Sequence, residues 1–189
     1  MRTPTLLALS ITIAPVSAPA LGADSPSSHQ HGHAEMQLAF SHNRVEVMLT
    51  SPAANLIGFE HEPRSPEQHQ TLDKVTDWLG KTPLVNTPET TCTVQTGSVQ
   101  HALAGDHEEH ADHEEHSNEE SAQSGPGRHA DITVTQILTC PGLDKSVSLT
   151  TPLTARFPSL EHLDLAWAGP DGQGSKRLEE GEASFKLRR

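Results

Sequence analysis

The sequence predicts an α+β fold: a mostly antiparallel β-sheet of six or seven strands, one longer helix, and a disordered His/Asp/Glu-rich loop inserted between two strands. Three observations predict it. Several segments alternate apolar and polar residues with the period of a half-buried strand. One segment, beginning at Ser65, carries apolar residues at helical spacing behind a capping residue. The run Asp106-His107-Glu108-Glu109-His110-Ala111-Asp112-His113-Glu114-Glu115-His116 has no apolar period at all. At 189 residues the chain is about one domain long, and what lies outside this run can build one modest core.

The N-terminus reads Met1-Arg2, an apolar stretch from Thr5 to Ala14, then small residues through Ala23. That is the pattern of a secretory signal peptide over 1–23, cleaved after Ala23 or Ala20. It is too short to span a bilayer as an anchor, and no later segment is apolar enough to cross one. The expectation is a soluble, exported single domain over 24–189. A polar leader precedes the first strand, where Met36, Leu38 and Phe40 alternate with Glu35, Gln37 and Ala39. With His42-Asn43 as a two-residue turn, Phe40 faces Val45, Leu38 faces Val47 and Met36 faces Leu49, so both strands of the hairpin bury one apolar face. Ser51-Pro52-Ala53-Ala54-Asn55 ends the hairpin, and Leu56-Ile57-Gly58-Phe59 follows as a short buried segment.

Ser65 is placed to cap a helix with Pro66 at its first position, Leu72, Val75, Trp78 and Leu79 on one face, and Gly80 as its stop. Thr91 to Val99 and Asp131 to Cys140 read as strands on either side of the loop over 103–128. Two cysteines in an exported chain are expected to pair, and Cys92–Cys140 would clamp the base of this long hairpin. Free thiolates ligating a metal are the rival reading, without a C-x-x-C spacing in its favour. In the paired register Val94 meets Leu138, Ser98 meets Val134 and Gln100 meets Ile132. Lys145 to Thr150 alternates again, with Val147 and Leu149 inward. Pro152 to Leu160 reads as a short helix or turn. Leu163, Leu165 and Trp167 mark a strand broken by Gly169-Pro170-Asp171-Gly172, and a final strand runs from Ala183 to Leu187.

The chemistry lies in the histidines. His107, His110, His113 and His116 recur at every third position among carboxylates. Neutral imidazole is the commonest side-chain ligand for borderline divalent metals, and carboxylates add oxygen ligands and orient the rings. The same composition makes a solvated acidic linker. The two readings coexist, because ligands three apart can be gathered when an ion arrives. Such a loop orders itself only on binding, so several zinc ions held loosely are expected. His29, His31 and His33 form a second cluster; if extended, His31 and His33 share the polar face with Glu35 and Gln37. Glu60 and His61, in Phe59-Glu60-His61-Glu62-Pro63, are a third set of ligand-type residues, for which turn-shaping is an equal reading. His42, His69, His101, His129 and His162 are scattered and take no assigned role, apart from the loop-flanking His101 and His129, which could join the loop.

A formal charge of −12 argues against nucleic acid or an anionic membrane as partner and favours cations. His31-Gly32-His33-Ala34 before a strand, the block Ser51-Pro52-Ala53-x-Asn55-Leu56-Ile57-Gly58-Phe59-Glu60-His61-x-Pro63, and Phe157-Pro158-Ser159-Leu160-Glu161 together resemble the ZrgA-type zinc uptake proteins, formerly a bacterial domain of unknown function. The resemblance covers essentially the whole mature chain. It implies a periplasmic protein assisting zinc acquisition, alongside an ABC-type zinc importer or its periplasmic binding protein. Enzymatic catalysis is not expected: no H-E-x-x-H helix occurs, since His107-Glu108-Glu109-His110 brings the second histidine one residue early, and there is no G-x-S-x-G turn. The alternatives are a structural or adhesive exported β-domain with an incidental His-rich loop, and a general sequestering protein for nickel, copper and zinc.

Overall fold

The computed structural model describes residues 30–103 and 130–187. Residues 1–23, read above as a signal peptide, His29 and all four histidines of the loop run lie outside the described residues.

Strand β1 (His33–Ser41) and strand β2 (Arg44–Pro52) form the expected hairpin, with Met36 against Leu49, Leu38 against Val47 and Phe40 against Val45. His42 takes the left-handed conformation (φ 55°) that the tight turn needs. A short helix, α1 (Ala53–Ile57), follows directly; Leu56 and Ile57 of the short buried segment form its end, stopped by Gly58 at φ 86°. Helix α2 (Pro66–Lys81) starts where Ser65 predicts, its hydroxyl accepting from the Gln68 N–H. Strand β3 (Thr93–Ala102) pairs with β4 (Asp131–Thr139). A 3-10 turn (Leu143–Lys145), strand β5 (Ser148–Thr150) and helix α3 (Leu153–Arg156) lead to β6 (His162–Gly169), β7 (Gly172–Glu179) and β8 (Ser184–Lys186).

Six strands make one sheet in the order β3-β4-β2-β1-β6-β7, and β5 and β8 make a second, two-stranded one. The main sheet is antiparallel except between β1 and β6, which run parallel from His33–His162 to Ala39–Ala168. Period-two alternation sends Met36, Leu49, Val134 and Leu165 to one face, where they join the buried residues of the helices and of the small sheet in a single core. The opposite face carries Glu35, Gln37, Glu46, Ala166 and Arg177 and stays open. Among the described residues no helix is long and apolar enough to cross a membrane.

The structure corrects four expectations. Gly80 does not stop α2, which runs to Lys81 and is capped by the Thr82 N–H on the Trp78 carbonyl (2.8 Å). Val94 meets Leu138 as expected, but a bulge before Thr96 shifts the register, so Val99 meets Val134 and His101 meets Ile132. The extra residue turns Gly97 toward α2, where any Cβ would strike the Gly80 carbonyl; the helix fits against the sheet only in this phase. Val147 is 69% exposed rather than inward, because the 3-10 turn takes up Lys145 and only Ser148–Thr150 pair as strand; Leu149 alone is buried there. Finally, β7 was not expected. As an edge strand it needs one inward anchor, Leu178, while Gly174 leaves room for the Trp167 ring. The Cys92–Cys140 disulfide is formed, at the end of the β3–β4 pair away from the loop.

Candidate metal site on the open sheet face

The segment His31-Gly32-His33 is tied to three other parts of the chain. Gly32, at φ 82°, donates its N–H to Asn55 Oδ1 (2.8 Å), and Asn55 Nδ2 donates to the His33 carbonyl (2.9 Å) and to Ser51 Oγ (3.2 Å). The Gly32 carbonyl accepts from the N–H groups of Glu161 and His162, both at 2.8 Å. Glu161 packs its carboxylate against Gly32 so closely that a Cβ there would lie 3.1 Å away. Asn55 is buried on α1, so the Ser-Pro-Ala-x-Asn block supplies the clamp that sets both histidines.

From this turn two pairs of ligand-type side chains are arranged. His31 reaches Glu60, Nε2 to Oε1 at 2.8 Å, joining the N-terminal cluster to the Glu60-His61 segment. His61 is turned elsewhere: its ring stacks on Phe59 and Nδ1 lies 2.7 Å from the Glu62 carbonyl. His33 points to the open face as its alternation predicts, and its ring lies 4.5 Å from that of His162, tilted by 53°. His162 Nδ1 in turn sits 2.8 Å from Glu179 Oε2. The carboxylate oxygen is off the line of an N–H bond, so this buried nitrogen has a charged neighbour but no hydrogen-bond partner.

The next row of the same face is Glu35, Asp164 and Arg177. Arg177 grips Asp164 with Nε and Nη2 on its two oxygens, both at 2.7 Å. That forked hydrogen bond holds the Asp164 carboxyl below its ordinary range, and the nearby His33 and His162 add to the effect. Desolvation opposes it less strongly. His162 and Glu179 had been assigned no role from sequence. The signal that finds them is strand pairing: β1 beside β6 beside β7 puts His33, His162 and Glu179 in one row.

The β3–β4 pair ends at Ala102–Asp131, at the same end of the sheet as this row, so the chain enters and leaves 104–129 there. Three strand spacings separate β4 from β6, roughly 14 Å at about 4.8 Å each. Among the described residues, no group of three His, Cys, Asp or Glu stands ready-made around a metal ion. The side chains stand in pairs. At the opposite end of the sheet from His33 and His162, Phe40, Leu143, Trp167 and Leu187 line an apolar hollow of about 270 Å³.

Compared with known protein families, residues 28–187 match the family described as "ZrgA family zinc uptake protein". No curated protein matches the chain. The match spans the Ser51-to-Pro63 block and the His-Gly-His turn and points to a role in zinc uptake. The disulfide together with the family suggests an exported protein.

Proposed function

The chain belongs to the ZrgA family of zinc uptake proteins, and on that premise we propose that it captures zinc outside the cytoplasm with two sets of ligands. The first is the run His107, His110, His113 and His116 with its carboxylates, which gathers several ions loosely. The second is a smaller, tighter set drawn from His31, His33 and Glu60 on the folded domain, which His29 and a re-turned His61 would join. The observation that carries this reading is the family match across a domain that contains both clusters. Preorganisation separates the two sets. A flexible loop must be ordered by the ion it binds, whereas His31 and His33 leave a turn already held by Asn55 and by the start of β6.

The compartment we assign is the periplasm, and the recipient of the zinc is an ABC-type importer or its periplasmic binding protein. Imidazole and carboxylate suit zinc, but Cu(II) binds the same ligands more tightly by the Irving–Williams order. Selectivity for zinc therefore comes from metal availability and from the recipient. Calorimetric zinc titration of the mature chain with and without 103–128 tests the reading. The deletion is expected to remove most equivalents and to leave a tighter remainder. A mature chain that takes up no zinc would overturn it.

A further inference from the structure

We infer that His33, His162 and Glu179 form a three-ligand divalent-cation site on the open sheet face, with its fourth coordination position open to solvent. This deepens the zinc reading and rests on it. Neither His162 nor Glu179 belongs to a His-rich segment; the fold alone brings them to His33.

Geometry carries the inference first. Two imidazoles on one tetrahedral zinc, with Zn–N of about 2.0–2.1 Å, have ring centroids roughly 5 Å apart. His33 and His162 stand at 4.5 Å, already tilted against each other rather than stacked. An imidazole nitrogen and a carboxylate oxygen on the same zinc lie about 3.3 Å apart, given metal–ligand distances of roughly 2.0–2.2 Å. Nδ1 of His162 and Oε2 of Glu179 stand at 2.8 Å. Both separations need to open by less than about 1 Å to admit the ion, a change within reach of side-chain rotation. Glu179 can supply it, since its side chain is 61% exposed on an edge strand.

The second argument is the orphaned nitrogen. Buried polar atoms are satisfied in the great majority of cases, and an exception calls for a cause. His162 Nδ1 is shielded from solvent, faces a carboxylate oxygen, and donates no hydrogen bond. Nδ1 and Glu179 Oε2 stand 2.8 Å apart with no hydrogen bond between them. A cation between them satisfies both groups at once.

The surroundings favour a positive ion. Glu35 and Asp164 lie in the adjacent row, and the cation of that row, Arg177, is bound to Asp164 through both oxygens. Backbone pairing holds the ligand-bearing strands in place: His33 pairs with His162, and His162 with Glu179. Three protein ligands and an open fourth position characterise exchangeable zinc rather than structural zinc. A ligand from an acceptor protein enters at the open position before the ion leaves, which suits a protein that hands its metal on.

The test uses the mature full-length chain, its His162→Asn and Glu179→Gln variants, and zinc alone as probe. Zinc equivalents are counted by competition with a chromophoric chelator, while long-range proton–nitrogen NMR follows the imidazole rings. In the wild type the His33 and His162 ring nitrogens are expected to shift within the first equivalent. His162→Asn should lose that equivalent and keep the rest. Glu179→Gln should weaken it at least tenfold, since losing even a carboxylate that only supports a ligand costs about ten- to a hundredfold. If the wild type binds zinc while the His162 ring does not shift and both variants keep every equivalent, this site is wrong and the zinc reading stands. If the wild type binds no zinc, both fall. Should His162→Asn fail to fold, the wild-type ring shifts and the exposed Glu179→Gln change still decide.

Discussion

Replacing Asn55 by Ala is the perturbation that most directly joins the fold to the site. The side chain is 4% exposed and makes three hydrogen bonds, to the Gly32 N–H, the His33 carbonyl and Ser51 Oγ. Truncation takes this partner from the buried Gly32 N–H and the part-buried His33 carbonyl, at about 1–3 kcal/mol each and less for the group that water can reach. A total of about 2–5 kcal/mol lowers the melting temperature of a domain this size by roughly 5–15 °C. The site suffers as well. Freeing His31 and His33 returns backbone entropy worth about 1–2 kcal/mol per residue, which zinc must then overcome. Affinity at the folded-domain site should fall roughly ten- to a hundredfold, with the loop equivalents unchanged. Asn55→Asp keeps an acceptor for the Gly32 N–H but loses both donations, so it should fall between Ala and the wild type. Thermal melts of the metal-free protein and chelator competition read the two effects. If Asn55→Ala melts within about 2 °C of the wild type and binds zinc unchanged, the clamp is not what positions the histidines.

Gly97→Ala drives a Cβ into the Gly80 carbonyl and should cost about 1–3 kcal/mol, whereas Gly80→Ala meets only a Val99 methyl at 3.8 Å and should be neutral or slightly stabilising; urea midpoints separate them. Protein made in an oxidising compartment should show no free thiol when denatured, and replacing both cysteines by Ser should cost up to about 4 kcal/mol for a crosslink spanning 48 residues. Asp164→Asn removes a partly exposed ion pair worth less than about 1 kcal/mol after screening. Because the folded carboxyl is depressed, its contribution is full above the ordinary carboxylate range and lost as pH falls through the lowered value. The variant should therefore differ from the wild type at neutral pH and converge with it in acid. Histidine must lose its proton to bind metal, so zinc affinity should collapse as pH falls through about 6. Equal binding at about pH 7.5 and pH 5 would assign the ion to carboxylates alone.

Where side-chain period and turn chemistry agree, the fold is legible residue by residue. The β1–β2 register follows from Met36, Leu38 and Phe40 opposing Leu49, Val47 and Val45 across His42-Asn43. The start of α2 follows from Ser65 and Pro66. The misreadings come from packing that no local pattern encodes. Gly80 reads as a stop because Gly often ends helices, yet α2 continues through it and Gly97 comes to lie beneath its carbonyl. The register beyond Val94 depends on that same contact, and hence on a helix more than a dozen residues upstream. Strand β7 escapes because an edge strand with one buried apolar residue has no alternation to detect.

The candidate site divides along the same line. A cluster that is contiguous in sequence, such as His31 and His33, can be read without a fold, and so can its polar face. His162 cannot, since no other histidine lies near it in the sequence. Its position depends on the parallel pairing of β1 with β6, and parallel neighbours are always joined by a long connection. That pairing has a second consequence. In a parallel pair both strands enter the sheet at the same end, so the turn preceding β1 and the turn preceding β6 meet. Gly32 accepts hydrogen bonds from Glu161 and His162 there, and the β3–β4 connection opens at that end too. A meander of antiparallel strands would instead have carried His162 to the opposite end of the sheet, beside Phe40 and His42. The parallel β1–β6 pair therefore gathers His31 and His33, the His162–Glu179 pair and the open ends of β3 and β4 along one edge of the sheet.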